Sequence, residues 1–460
     1  MTGNTTTEAK SAAALSKEQA MWRWRILIAT YFGYCGYYLC RKVFTFIKIP
    51  LSEQFHVNIN MIAHIWTAYL VAYMVGQFLS SFFGRKWGPR VLLLGGLGLS
   101  IIINIVFGFA NSYWTFMVFM IFNGLVQASG WPGCVGSVAD WLRRTERGTI
   151  MGVWNTNFVI ANMIVKTLGA FLLKAGWHIF FVGCAFVASK YCWSGEKNAW
   201  RYTYFGCTIA AFAIWWLMYF WQRNKPEDVG LPKIVEQEED LDRSVKASDE
   251  EHVTFAQYAK LLLNPVVPVM GLSYFFLKFL RYSLDSWTPT FLQVLGLDVS
   301  HSVLFSSIFD IVGIPGVFIA GWALDRVFKG KWTSLCLLMG IGMAISYVAV
   351  VIFGGNPYAF AICCGAVGFM LYGPDSIISG AAAMQVAGEK NAAGVAGIIN
   401  GVGSIGPIVQ EEVISKMMEG DNGIHNANVL GLAMSVLFVV AMVFVSMQVK
   451  SAHKKHINDR

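Results

Sequence analysis

Two arginines stand inside stretches that are otherwise apolar and aromatic. Arg41, followed by Lys42, interrupts "GYCGYYLCRKVFTF" (33–46), and Arg281 interrupts "FLRYSLDSWTPTFL" (279–292). A cation inside an apolar helix costs several kcal/mol unless it has work or a partner. The chemistry a guanidinium offers is a planar fork of donors that grips an oxyanion through two parallel hydrogen bonds. Tyr34, Tyr38 and Arg41 are spaced by four and three and share one helix face, so phenolic hydroxyls would flank that fork or simply pack as rings. The plain alternative for Arg41 is capping or reaching out to the interface, which the continued run "VFTFI" makes harder. Arg281 has Asp285 one turn on, a spacing that also suits an ordinary ion pair along the helix.

Other buried charges surround these two. Lys278 lies three residues before Arg281 on the same face, and its simple reading is a pair with Asp310. Lys42 lies about 100° round the helix from Arg41. Lys166 either lines the same space or pairs with a carboxylate. Asp285, Asp310, Asp375, Glu411 and Glu412 are all in the second half of the chain, and each is expected to serve a cation rather than relay protons.

The elements that carry these residues are membrane helices. The 460 residues are 56% hydrophobic and 13% charged, against about 25% charge in a soluble domain, and the mean hydropathy is +0.52. Apolar spans fall near 26–46, 62–83, 91–110, 113–138, 149–173, 201–221, 266–287, 302–322, 333–354, 357–381, 392–415 and 428–447, which predicts an all-α membrane protein of twelve transmembrane helices. Residues 174–200 are apolar enough to extend the fifth span, form a re-entrant piece, or add a thirteenth crossing. Basic loops such as "GRKWGPR", "RRTERG" and "DRVFKGKW" alternate with loops free of Lys and Arg, such as "LDVSHS" and "GGNPY". By the positive-inside rule both termini are expected in the cytoplasm. The net charge of +8 is that pattern, so no nucleic-acid partner is expected. Residues 1–20 form a polar tail without the features of a signal peptide. Residues 222–256 form a hydrophilic linker between halves 21–221 and 257–450, and 451–460 form a basic tail.

The halves read as repeats. Arg41 and Arg281 are 240 residues apart, as are Arg85 and Asp325 in the loops after spans two and eight; "WPG" at 131–133 and "YGP" at 372–374 follow at nearly that offset. Nine cysteines sit in apolar segments without C-x-x-C spacing. "GVGSIG" (401–406) lies in an apolar helix with no strand before it, which makes it packing glycine rather than a nucleotide loop. HExxH, G-x-S-x-G and Walker A patterns are absent, so neither an enzyme, a metal nor a cofactor is expected.

Four blocks, "GYCGYYLCRKVF", "WPGCVGSVADWLRRTERGTIMGVWNT", "FLRYSLDSWTPTFL" and "GIPGVFIAGWALDRVFKG", resemble the organophosphate:inorganic phosphate antiporters of the major facilitator superfamily. The loop motif G-x-x-x-D-R is intact at Gly321 to Arg326, whereas "SFFGRKWGPR" carries Arg85 where its aspartate would stand. The resemblance implies a central cavity between two pseudosymmetric six-helix halves, with Arg41 and Arg281 contributed one from each. It also places Tyr73, Trp131, Trp154, Asn155 and Tyr372 on cavity positions. A phosphate monoester carries about −1.5 to −2 charges at pH 7. Two unpaired cations would resist closure of an empty cavity and accept it once loaded, giving obligatory exchange.

The chain departs from the family in three places. Gln77 stands where relatives often have a span-two lysine, Phe158 follows "WNTN" where they often have a histidine, and Lys278 is a candidate replacement for the missing cation. Asp375, after "YGP", is positioned for a sugar hydroxyl or Lys278. The expected function is an inner-membrane, monomeric antiporter that exchanges a hexose 6-phosphate for inorganic phosphate. Glycerol 3-phosphate or a phosphoglycerate is the alternative substrate. A sugar-phosphate sensor and a proton-coupled transporter are the competing classes.

Overall fold

The computed structural model describes residues 17–139, 141–142, 150, 154, 156–184, 198–232, 266–379, 382 and 399–458. The first half contains helices α1 (Lys17–Arg41), α2 (Val43–Phe46), α3 (Lys48–Phe55), α4 (Ile59–Phe109), α5 (Tyr113–Gln127), α6 (Gly130–Ala139), α7 (Asn157–Cys184) and α8 (Ala199–Trp221). The second contains α9 (Val266–Val294), α10 (Val299–Arg326), α11 (Trp332–Phe353), α12 (Pro357–Ser379), α13 (Ile405–Met417) and α14 (Gly423–Asn458). All are helical, as a lipid-embedded chain requires, since only internally bonded backbone survives there. Large apolar side chains such as Ile102, Ile209, Phe318, Ile345 and Ile362 point outward and are more than half exposed, which suits lipid as the surrounding solvent.

Eight segments among the described residues are long and apolar enough to cross a membrane. They are the second, third, fifth, sixth, eighth, ninth, tenth and twelfth of the twelve expected spans. The other four correspond to α1 to α3, α5 with α6, α9 and α13. α9 carries Lys278, Arg281 and Asp285, and α5 and α6 are separated at Ala128 and Ser129; the expected eleventh span lies partly outside the described residues. The functional spans are thus the least hydrophobic ones. α7 runs on to Cys184, so the apolar stretch after residue 173 begins as an extension of the fifth span; 185–197 lie outside the described residues.

The internal repeat is written in the backbone. Asn58 caps α4 by accepting from Met61 N at 2.9 Å; Asp298, 240 residues later, caps α10 by accepting from His301 N at 3.2 Å. His56 (φ 54°) and Gly296 (φ 98°), the turn residues before those caps, are again 240 apart. Two buried apolar clusters follow the same division. One is built from α1 to α8 and the other from α9 to α14, with Val303 joining the first and Ala63 and Val159 the second.

α4 bends at Gly88 (φ 80°), with Pro89 following, so it forms two spans. A Cβ at Gly88 would meet Asn224 at 3.0 Å, and a side chain there would also strain a left-handed backbone. Asn224 accepts from Arg90 N at 2.8 Å, and Arg90 Nη2 donates to Tyr219 O at 3.1 Å. The first-half loop, whose motif departs at Arg85, is therefore tied to the end of α8 through Asn224. α10 and α12 approach closely: a Cβ on Gly316 would lie 2.3 Å from the Phe369 carbonyl, the small-residue packing typical of membrane helices.

Candidate functional site

Arg41 is the last residue of α1, where the helix breaks at Lys42. Its guanidinium carbon lies 4.1 Å from the Tyr38 ring centre and 5.8 Å from those of Tyr34 and Tyr73. Its Nε is buried without an acceptor, and no carboxylate pairs with it among the described residues. Cation–π contacts satisfy the charge in part but not the N–H donors, which leaves a fork ready for an oxyanion.

Arg281 is differently equipped. Its Nη1 donates to Asp375 Oδ2 at 2.6 Å, and its guanidinium sits 4.8 Å from the ring centre of Phe158 and 5.3 Å from that of Tyr372. Phe158, standing where relatives often have histidine, reaches from the first half to stack over the arginine of the second. Both arginines are partly buried, each packed among aromatic rings.

Three sequence expectations need correction. Asp285 does not pair with Arg281 along the helix; it takes Lys42 of the first half and accepts from Asn162 Nδ2 at 2.8 Å. Lys278 does not reach Asp310; its Nζ donates to Asn400 Oδ1 at 2.6 Å and Ser404 Oγ at 3.2 Å. Arg281 is paired with Asp375, whereas Arg41 pairs with no carboxylate among the described residues. In all three, helix crossing supplies the partner from another span.

The remaining candidates are distributed as follows. Asp310 is fully buried, accepting from Lys166 Nζ at 2.7 Å, Tyr372 Oη at 2.8 Å and Asn162 Nδ2 at 3.1 Å. Trp131 and Trp154 form an aromatic cluster with Tyr34, ring centres 5.5 and 6.4 Å from it, and Trp154 Nε1 donates to Thr30 Oγ1 at 3.1 Å. Tyr73 packs on Tyr69. Asn155 lies outside the described residues. Four of the five acids pair with cations, Asp285 with Lys42, Asp310 with Lys166, Asp375 with Arg281 and Glu411 with Lys48, while Glu412 contacts the His64 imidazole.

Lys48 is the charge that spacing did not single out. Fully buried, it pairs with Glu411, donates to Ser286 Oγ at 2.9 Å and lies 3.8 Å from the Trp287 ring centre. Trp287 Nε1 donates to the same carboxylate at 2.9 Å. The signal available in sequence was Pro50, which follows Lys48 and fits the first turn of a resumed helix. Hydrogen bonds join the halves here: Lys42, Lys48, Asn58, Asn60, His64, Asn162, Lys166, Ala170 and Phe46 against Asp285, Ser286, Gln293, Ser300, Ser306, Asp310, Glu411, Glu412, Ser415 and Glu419. They lie on α1 to α4, α7, α9, α10 and α13 or in the turns beside them, and they tie the first half to the second.

The sequence profile of the Major Facilitator Superfamily matches residues 30–410, and the chain belongs to that superfamily. Its relatives sharpen this. A glycerol-3-phosphate transporter of Bacillus subtilis is 29% identical over 395 residues, covering 84% of this chain and 83% of the relative. The membrane sensor protein UhpC of Escherichia coli is 26% identical over 382 residues, covering 82% and 81%. A probable hexose phosphate transport protein of Chlamydia muridarum is 26% identical over 399 residues, covering 83% and 82%. The resemblance drawn from the four sequence blocks, to the organophosphate:inorganic phosphate antiporters, is the one these relatives bear out. Among solved structures, a bacterial homologue of the human lysosomal transporter Spinster, inward-facing and occupied, shares the fold with a TM-score of 0.69 at 15% identity, over 95% of this chain and 98% of that one.

Proposed function

We propose that this multi-pass membrane protein exchanges a hexose 6-phosphate for inorganic phosphate by alternating access, with Arg41 and Arg281 as the anion clamp. The observation that carries this reading is Arg41. It is a guanidinium held among Tyr34, Tyr38 and Tyr73 with no carboxylate of its own among the described residues. Such a fork suits a doubly charged phosphate better than any neutral solute. A bound anion balances that charge while the halves, 21–221 and 257–450, rock against each other.

By the positive-inside rule both termini face the cytoplasm, with the protein in the inner membrane. The hexose ester is favoured over glycerol 3-phosphate because polar groups beyond the arginines, Lys278 and Asp375, suit a polyol. A sensor role is the second reading, favoured by the likeness to a membrane sensor protein.

Reconstitution of the pure protein tests both. Vesicles loaded with inorganic phosphate are expected to take up labelled glucose 6-phosphate, and empty vesicles are not. Uptake without internal anion defeats obligatory exchange, and a folded protein that binds ester without flux favours the sensor.

A further inference from the structure

Asp375 occupies the place on Arg281 that an anionic substrate needs. Its Oδ2 accepts from Arg281 Nη1 at 2.6 Å, and the carboxylate side chain is 7% exposed. Its other oxygen, Oδ1, is buried with no donor. Lys278, one turn before Arg281, makes its short bonds elsewhere, to Asn400 and Ser404. Arg41 has no corresponding acid among the described residues. The two arginines of the clamp are therefore unequal: one is open, and the other carries a built-in anion with an unsatisfied oxygen.

We propose that Asp375 is an intramolecular competitor for Arg281 that the substrate's phosphate displaces, and that the displaced carboxylate then accepts hydroxyls of the ester's polyol. This rests on the phosphate-clamp reading above and extends it to substrate choice. A phosphate group and a carboxylate compete for the same guanidinium donors, so displacement weakens binding of any anion that brings nothing to Asp375. A phosphorylated polyol brings donors for both carboxylate oxygens, including the one now unsatisfied. Inorganic phosphate has no such arm. One residue thereby lowers affinity for the small anion and raises preference for the ester, which helps a carrier release inorganic phosphate in exchange for ester.

Asp375→Asn separates the two effects. The amide removes the competing charge and holds Arg281 only by a neutral hydrogen bond, and it is a weaker acceptor for hydroxyls than a carboxylate. Binding of inorganic phosphate and of glucose 6-phosphate is measured on the full chain in detergent by competition against labelled phosphate. The expected result is about tenfold tighter inorganic phosphate and an ester-over-phosphate preference reduced by about tenfold. Unchanged or weaker phosphate binding, or equal tightening of both ligands, overturns the proposal. Asp375→Ser is measured in parallel, so that a poorly folded amide variant does not end the test. A wild-type protein that ignores inorganic phosphate removes the clamp and this proposal together; one that binds phosphate while both variants leave it unaltered removes this proposal alone.

Discussion

Arg41 and Arg281 differ from lysines in geometry as much as in charge. A guanidinium presents two parallel donors to one oxyanion, whereas an ammonium is a compact point charge. Arg41→Lys and Arg281→Lys are each expected to lower phosphate exchange in proteoliposomes by about 10- to 100-fold, the value of one charge-assisted bond pair. The variants should still elute as folded protein on size exclusion, because the cation–π contacts around Arg41 tolerate an ammonium. Normal turnover by either variant removes its assigned role. At this scale the sequence was informative about which residues matter and silent about their partners. Lys278 looked like a match for Asp310 and instead bonds Asn400 and Ser404, a choice fixed by how α9 and the 399–417 segment meet.

Helix termini and bends follow local rules more closely. Asn58 and Asp298 cap equivalent helices because a short acceptor side chain satisfies the free N–H groups of the first turn. Gly88 is required by its φ of 80° and by Asn224, 3.0 Å from where a Cβ would stand. Gly88→Ala is expected to destabilise the fold by about 1–2 kcal/mol, read as a lower midpoint for thermal unfolding in detergent. An unchanged midpoint means that the loop relaxes and that the Arg90–Asn224 tie does not hold it. The elements that hydropathy judged poorly were the broken or charged ones, α5 with α6, α9 and α13. Polar residues needed at the centre dilute the very signal by which a span is recognised.

Across the whole molecule, two bundles are held together by ion pairs and hydrogen bonds contributed from both. Lys48 and Glu411 are the most buried of these, each with 0% side-chain exposure. Glu411→Gln leaves the ammonium buried without its counter-ion, a change that costs about 3–5 kcal/mol in other proteins. Parting the halves here hydrates Lys48, so the variant is expected to shift toward the state open on that side. Spin labels at positions 58 and 419, whose native side chains are hydrogen-bonded across the halves, should then show a larger long-distance population. An unaltered distance distribution means that the pair does not bias the equilibrium.

The sequence by itself determined the spans, the duplication and the two arginines. Lipid imposes a length and an apolar composition on every crossing, and both are readable one segment at a time. It also pointed to cations as the partners of the buried acids, because a buried carboxylate without a counter-charge is costly. Only the tertiary structure decided that Asp375 claims Arg281, that Asp285 crosses to Lys42, and that Lys48 meets Glu411. Those pairings depend on distances between helices far apart in the chain. Helix crossing sets those distances, and periodicity within a single helix carries no information about them.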